Sequence, residues 1–326
     1  MAVKTQLAEL IRVTNDKARY DKQVKKLLSV KAILAWILKT CTDEFSSFST
    51  QEIINCIQGE PEISLRAVHP NEPDAGASML DGDDRIIGLN TEDNFLGEGT
   101  VYYDIRLQAV VPNSQTLVQL IINIEAQLDT SPGYPIEKRA VYYCCRMISG
   151  QYGTVFYHSE YGKLRKVYSI WFCSGSSLQK QNTIKKISLG ETAVYGTPDT
   201  SGKNSDLMQA VIVHLGDANV PVGNQILRLM NVLLSEKTNA IKKQQVMEEE
   251  FHIAMTADLK TEVEELCNLS DGIYKKGRGE GLRQGIEGAV QMLRSQGNPD
   301  EQIIEMIMQQ YDLTLETAKS YVMVPV

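Results

Sequence analysis

The stretch YYDIRLQAVVPNSQTLVQLIINIEAQLD, residues 102–129, contains two segments in which apolar and polar residues alternate. Alternation with a period of two is typical of β-strands, because successive side chains point to opposite faces of a sheet. Between the segments lies PNSQ, residues 112–115, a cluster of turn-forming residues. The pattern therefore predicts an antiparallel β-hairpin.

The position of the turn also predicts which residues of the hairpin oppose each other. Pairing centred on the turn places Asp104 opposite Glu125 and Tyr102 opposite Gln127. Directly opposed side chains share a face, with Cβ atoms about 4.5–5.5 Å apart. A slip of one residue would move every side chain to the other face, so the prediction depends on this register.

In this register the two faces of the hairpin differ in character. The polar face bears Asp104, Arg106, Gln108, Asn123, Glu125 and Gln127, with Ile121 among them. The apolar face, which predicts a core face, bears Ile105, Leu107, Ala109, Val111, Leu120, Ile122, Ile124 and Ala126.

The opposed carboxylates of Asp104 and Glu125 need an explanation, because like charges that face each other across two strands destabilise a sheet. A divalent cation between them would reverse the sign of that interaction. Mg²⁺ prefers one or two carboxylates together with waters and phosphate oxygens. The alternative is a polar face that simply meets water. The spacing alone is compatible with both a metal site and a solvent-exposed polar face.

The composition limits the classes of partner. The chain has 326 residues and a net charge of −8, which excludes a uniformly basic nucleic-acid coat. Contact with nucleic acid would therefore require a local basic patch. The segments YGKLRKVYS and QKQNTIKK predict either such a patch or an ordinary solvated surface; their basic residues are Lys163, Arg165, Lys166, Lys180, Lys185 and Lys186.

The cysteines and the apolar runs indicate a cytoplasmic protein. The 6 cysteines form no CxxC pair, which favours reduced thiols over a zinc site or a disulfide framework. No apolar run reaches the ~18 residues that a membrane helix needs, so we expect no membrane partner. The first residues also lack the apolar core of a signal peptide.

Periodicity and turn residues divide the rest of the chain into elements. The predicted helices cover residues 22–40, 49–58 and a segment from Pro135, and helices dominate from Asn224 onward; the predicted strands cover residues 166–173 and 210–216, with a short one at Ile86–Leu89. We predict three regions: a core over residues 1–220, a helical extension over 221–272, and a glycine-punctuated linker with a small helical tail over 273–326.

Several segments together carry a resemblance to a known family. The quoted hairpin motifs YYDIRLQAV and LIINIEAQ are followed by GYPIEKRAVYYCCRMISGQYG and KVYSIWFC, and preceded by GLNTEDN. In this order they resemble the Rpn-like recombination-promoting nucleases, also described as PD-(D/E)XK nuclease family transposases. The resemblance covers about residues 20–270.

The resemblance implies both a fold and an activity. The fold would be α/β, with a PD-(D/E)XK restriction-endonuclease-like core, a mixed central sheet flanked by helices, and a helical C-terminal region. The activity would be hydrolysis of DNA that depends on Mg²⁺ or Mn²⁺. Asp104 and Glu125 would be the metal-binding carboxylates, with the backbone carbonyl of Ala126 beside them. Gln127 stands where many relatives have lysine, and glutamine orients a water only through hydrogen bonds.

The family also implies a further acid from the N-terminal part of the fold. Asp21, Glu92 and Asp93 are the candidates, and a helix cap or a loop carboxylate is the alternative role of each. Arg139 shares a helix face with a neighbouring tyrosine. It would either contact a phosphate beside the metal or pack with tyrosines on the sheet.

Two functions follow as hypotheses. The first is a metal-dependent DNA endonuclease associated with recombination, mobile elements or defence. The second is a catalytically inactive nuclease-fold protein that binds nucleic acid or a protein partner, which the absence of lysine at Gln127 favours. With either function, the C-terminal helices would be able to form a homo-oligomer.

Overall fold

The computed structural model describes residues 18–57, 62–63, 92–95, 99–102, 104–111, 119–127, 133–202 and 204–323. The chain divides into two compact units. The larger one spans Ala18–Cys267, and the smaller one includes Asn268–Val326.

The N-terminal part of the larger unit is helical. The described part of α1 covers residues 18–28, and it is followed by α2 (Lys31–Cys41) and α3 (Thr50–Cys56). The predicted single helix over 22–40 is wrong, since Val30 has an extended backbone and the Ser29 hydroxyl donates to the carbonyl of Lys26. That side-chain bond competes with the helical pattern. α3 begins with a capping box formed by Ser49 and Glu52, within the helix predicted over residues 49–58.

A mixed sheet forms the centre of this unit. Its strands are β1 (Glu62–Ile63), β4 (Ile105–Val110), β5 (Gln119–Gln127), β6 (Val167–Cys173), β7 (Thr183–Ser188) and β8 (Met208–His214), in the spatial order β1-β4-β5-β6-β8-β7. Strands β5, β6 and β8 are parallel, and the outer neighbours β4 and β7 are antiparallel to them. The predicted α/β class with a mixed, helix-flanked sheet is confirmed.

The predicted register of the hairpin is also confirmed, because Ile105 pairs with Ile124. The pairing predicted for Tyr102 differs from the one observed. Strands β2 (Glu92–Phe95) and β3 (Gly99–Tyr102) form a separate two-stranded sheet in which Tyr102 pairs with Glu92. Pairing of Tyr102 with Gln127 is therefore wrong. The predicted strand at Ile86–Leu89 lies outside the described residues.

One face of the sheet packs against α4 (Ile136–Ser149). In this core Ala140, Tyr143 and Met147 of the helix contact the buried residues Trp171 and Ile212 of β6 and β8. Because paired residues of neighbouring strands share a face, this is also the face that bears Glu125, which is paired with Trp171.

The remaining elements that the structure describes are helices. They are α5 (Gln225–Leu233), α6 (Ala240–Gln245), a π-helical turn (Val246–Glu250), α7 (Ala257–Ser295), α8 (Asp300–Tyr311) and α9 (Leu315–Val322), with a short 3₁₀ helix at Tyr161–Lys163. Residue 272, where the sequence predicts a boundary, lies inside α7, and the predicted linker that follows it is helical. Each interior glycine costs about 1 kcal/mol, which the glutamates, arginines and leucine around the glycines offset in part.

The smaller unit has its own core. Pro299 and Thr314 are the residues before the first turns of α8 and α9, which form the predicted helical tail. The buried core residues are apolar: Ile286, Val290, Ile303, Ile304, Ile307, Ala318 and Val322.

Candidate functional site

The carboxylates of Asp104 and Glu125 lie side by side in the structure. Asp104 directly precedes β4, and its backbone N–H donates to Glu125 Oε1 at 3.1 Å. The backbone N–H of Ala126 donates to Asp104 Oδ2, also at 3.1 Å. Both residues are buried, with exposed fractions of 6% and 4%. The predicted pair is therefore present, but it lies inside the protein rather than on an open polar face.

Lys25, which the sequence reasoning missed, completes this group. Its ammonium nitrogen lies 2.8 Å from Asp104 Oδ1 and 2.7 Å from Asp21 Oδ2. Asp21 and Lys25 are four residues apart on α1, so their side chains meet on one helix face. That spacing was the available sequence signal. The structure thus brings Asp21, one of the three candidate acids, to the site through Lys25.

The close packing of Asp104, Glu125 and Lys25 shifts the pKa values of Glu125 and Lys25. Burial raises the pKa of Glu125 well above its ordinary value, and the charge of Asp104 raises it further, against the opposing effects of Arg139 and Lys25. Burial would lower the pKa of Lys25, but the charges of Asp104 and Asp21 outweigh it and the net pKa is raised. Lys25 therefore remains an ammonium ion, while Glu125 takes up a proton more readily than an ordinary glutamate.

Arg139 on α4 faces the same group from a cage of aromatic residues. Its Nε and Nη2 donate to Tyr143 Oη at 3.1 and 2.7 Å, and its Nη1 donates to Tyr134 Oη at 2.8 Å. The guanidinium carbon lies 5.2 Å from the centre of the Trp171 ring. Burial lowers the pKa of Arg139, but Tyr143 and the charge of Glu125 produce a net rise. Arg139 is thus held against tyrosines, as one of its two predicted roles requires, and it also acts electrostatically on Glu125.

The other predicted residues lie further along these strands. Gln127 is the last residue of β5 and is paired with Cys173. Glu92 and Asp93 belong to β2 in the separate two-stranded sheet, paired with Tyr102 and Val101. The structure therefore assigns them to a different sheet from Glu125.

The donor chemistry of the site suits a hard divalent cation. Asp104 and Glu125 supply carboxylate oxygens, and Mg²⁺ uses one or two protein carboxylates in many sites. Among the described residues, no group of three or more histidine, cysteine, aspartate or glutamate side chains is arranged to hold a metal ion. The ammonium group of Lys25 lies 2.8 Å from Asp104 Oδ1. The site therefore supplies two carboxylates of the kind that bind Mg²⁺. One of them, Asp104, is already paired with the cation of Lys25.

The predicted basic patch is largely neutralised by ion pairs. Lys166 is buried and lies 2.9 Å from Glu44 and 2.5 Å from Asp206. Lys185 is paired with Glu137 at 3.1 Å. Lys163 and Lys186 are paired as well, with Glu160 and Asp43. Lys180 is exposed and makes no ion pair within the part of the chain that the structure describes.

Comparison of the chain with protein-family models, with curated proteins and with solved structures finds no match. The likeness to Rpn-like nucleases therefore rests on the quoted motifs. Among the described helices, none is both long enough and apolar enough to cross a membrane.

Proposed function

We propose that the chain is a metal-dependent DNA endonuclease that hydrolyses phosphodiester bonds at Asp104 and Glu125. The observation that carries the proposal is the position of these two carboxylates: Asp104 directly precedes β4 and donates its backbone N–H to Glu125 of β5, and the two residues are only 6% and 4% exposed. Burial of two repelling carboxylates costs stability. Such a cost is typical of a functional site. The motif resemblance to Rpn-like nucleases supplies DNA as the substrate, in recombination, mobile elements or defence.

Lys25 supports this proposal because it supplies the positive charge that Gln127 lacks. Its ammonium nitrogen lies 2.8 Å from Asp104, so a phosphate bound at the carboxylates would lie close to it. A fixed cation at that position stabilises the negative charge that develops on phosphorus oxygens during attack by water. Asp21 holds the other side of the ammonium group and orients it.

Asp104 and Glu125 would hold the Mg²⁺ or Mn²⁺ ion, with the carbonyl of Ala126 as the further ligand that the family resemblance implies. A bound ion would lower the pKa of water and stabilise charge on the phosphate. The backbone N–H of Ala126 keeps Asp104 in place through its Oδ2 atom. Arg139 places a second positive charge near Glu125, which favours the ionised form that binds a metal.

A second candidate function is binding of nucleic acid or a protein without cleavage. One observation favours it: both oxygens of Asp104 are already engaged, by Lys25 and by the N–H of Ala126. With this non-cleaving function, the Lys25–Asp104 ion pair takes the place of the metal and only stabilises the fold.

Cleavage of supercoiled plasmid distinguishes the two functions. Wild-type protein is incubated with Mg²⁺, with Mn²⁺ and with EDTA, beside Glu125→Gln and the control Glu160→Gln, which changes an exposed glutamate. We expect nicking that requires the metal, is lost in Glu125→Gln and is unchanged in Glu160→Gln. Equal inertness of all three proteins, together with a gel shift of the plasmid, would instead support the non-cleaving function.

A further inference from the structure

A cavity of about 380 Å³ opens at the carboxyl ends of β6 and β8. Its walls include residues from three segments: Tyr134 and Glu137 at the start of α4, Ser176, Ser177 and Lys180 after β6, and His214 at the end of β8. The carboxyl ends of parallel strands are the usual location of ligands in α/β sheets. The volume falls within the range of about 300–1,000 Å³ that small-molecule sites occupy.

The cavity lies next to the carboxylate site on the same face of the sheet. Glu125 pairs with Trp171, and Trp171 pairs with Ile212, which lines the cavity. Neighbouring strands are about 4.8 Å apart, so Ile212 lies roughly 10 Å from Glu125 along this row. Arg139 interacts with both the cavity wall and the carboxylate site. It donates to Tyr134 Oη in the wall and acts electrostatically on Glu125.

The lining combines a cation, hydroxyls and an apolar wall. Lys180 is exposed and free of ion pairs among the described residues. A turn holds it near Ser177, whose carbonyl accepts from the Lys180 backbone N–H at 2.8 Å. An ammonium group and a hydroxyl on one turn are donors that suit a phosphate. The rings of Tyr134 and Pro135 in the cavity wall provide surfaces on which a base can stack or pack.

The floor of the cavity contains a fixed polar pair. Ser176 is buried, and its Oγ lies 2.8 Å from His214 Nδ1. The other ring nitrogen, Nε2, makes no hydrogen bond to any residue that the structure describes. The carboxylate of Glu137 lines the same cavity; its Oε1 accepts from Lys185 at 3.1 Å, and Oε2 can accept from an amino group. These groups provide the hydrogen-bonding positions that a nucleobase or a sugar requires.

We propose that this cavity binds one nucleoside monophosphate unit of the substrate strand, with the phosphate at Lys180 and Ser177 and the base against Tyr134. The choice of a nucleotide rests on the proposed function, whereas the site itself rests on the lining groups. The unit bound there would be adjacent to the phosphate that is cleaved at Asp104 and Glu125. It would position the DNA strand along the line of paired residues Ile212, Trp171 and Glu125.

Calorimetric titration with deoxyadenosine 5′-monophosphate, in EDTA, tests the proposal without the metal or cleavage. The variant is Lys180→Ala, and the control is Lys163→Ala, which removes another exposed lysine that is paired with Glu160. We expect binding with a millimolar dissociation constant, about tenfold weaker in Lys180→Ala, because a hydrogen bond to a charged group is lost. The control should bind like wild type.

Three outcomes would overturn the inference. They are no binding to wild type at millimolar nucleotide, equal weakening by both substitutions, or binding of orthophosphate as tight as that of the nucleotide with none of deoxyadenosine. The plasmid assay separates this inference from the proposed function. Cleavage of plasmid by a protein that does not bind the nucleotide overturns the subsite alone. Nucleotide binding that Lys180→Ala weakens, by a protein that never cleaves, overturns the nuclease alone.

Discussion

Lys25 and Asp104 form a buried ion pair that links α1 to the start of β4, with 2.8 Å between the ammonium nitrogen and Oδ1. The Lys25 side chain is only 2% exposed, and Asp21 contacts it from the opposite side at 2.7 Å. A buried charge is tolerated only with a partner, so each group depends on the other. The pair thus joins two segments that are distant in the sequence.

Replacement of Lys25 by methionine is expected to lower the free energy of unfolding by about 3–5 kcal/mol, because Asp104 is left as an uncompensated buried charge. The measurement is urea unfolding followed by circular dichroism. Lys26→Met is the matched control, since Lys26 is 41% exposed and its pair with Glu262 is 3.3 Å long. An exposed pair contributes about 0–1 kcal/mol.

The double variant Lys25→Met with Asp104→Asn separates charge from packing. Since it removes both charges, we expect it to recover a large part of the stability lost in Lys25→Met. If Lys25→Met costs no more than Lys26→Met, or if Asp104→Asn gives no recovery, the ion pair does not have the stabilising role described above.

The hairpin was predictable because its determinants are local. A period of two and a cluster of turn-forming residues predict the register, so the proximity of Asp104 and Glu125 follows from a short stretch of sequence. Lys25 was not predictable in the same way. Its contact with Asp104 spans a long separation along the chain, and helical periodicity reports only which face of α1 is apolar.

The errors in the fold have equally local causes. The break between α1 and α2 coincides with the extended backbone of Val30 and with the hydrogen bond from the Ser29 hydroxyl to the carbonyl of Lys26. Apolar periodicity continues through these residues and so does not reveal it. The switch of Tyr102 to a second sheet is a choice between two possible partners, Gln127 and Glu92, and strand pairing of that kind depends on tertiary context.

Replacement of Tyr143 by phenylalanine is expected to cost about 1–3 kcal/mol, because its hydroxyl accepts two hydrogen bonds from the partly buried guanidinium of Arg139. Thermal and urea unfolding measure the change. Tyr161→Phe is the control, since Tyr161 is exposed and surface substitutions of this kind stay within about 0.5 kcal/mol. Equal effects of the two substitutions would show that the Arg139 cage does not contribute to stability.

His214 is expected to make the stability depend on pH. Burial, and then the positive charge of Lys180, lowers its pKa from the ordinary value of 6.5. The unfolded chain therefore binds a proton more readily than the folded one. The contribution of His214 is fully present above pH 6.5 and is lost as the pH falls through the lower pKa of the folded state.

The measurement is urea unfolding at a series of pH values on both sides of 6.5, for wild type and His214→Asn. We expect the loss of stability on acidification to be smaller in the variant. His158→Asn is the control, because His158 is exposed and its positive φ of 51° suits asparagine. An NMR titration that gives His214 a pKa at or above 6.5 would contradict the prediction.

Ile303 should carry much of the stability of the smaller unit. Its side chain is completely buried between α7, α8 and α9, in the cluster that includes Ile286, Val290 and Val322. Ile303→Ala removes three carbon atoms from a packed site, and such a change costs about 2–5 kcal/mol. Since a core this small has little stability to lose, we expect hydrogen exchange of the α8 and α9 amides to become much faster. Met306→Ala, at a residue 40% exposed on the same helix, is the control and should leave the exchange nearly unchanged. Equal exchange rates in the two variants would mean that the buried side of α8 does not hold this unit together.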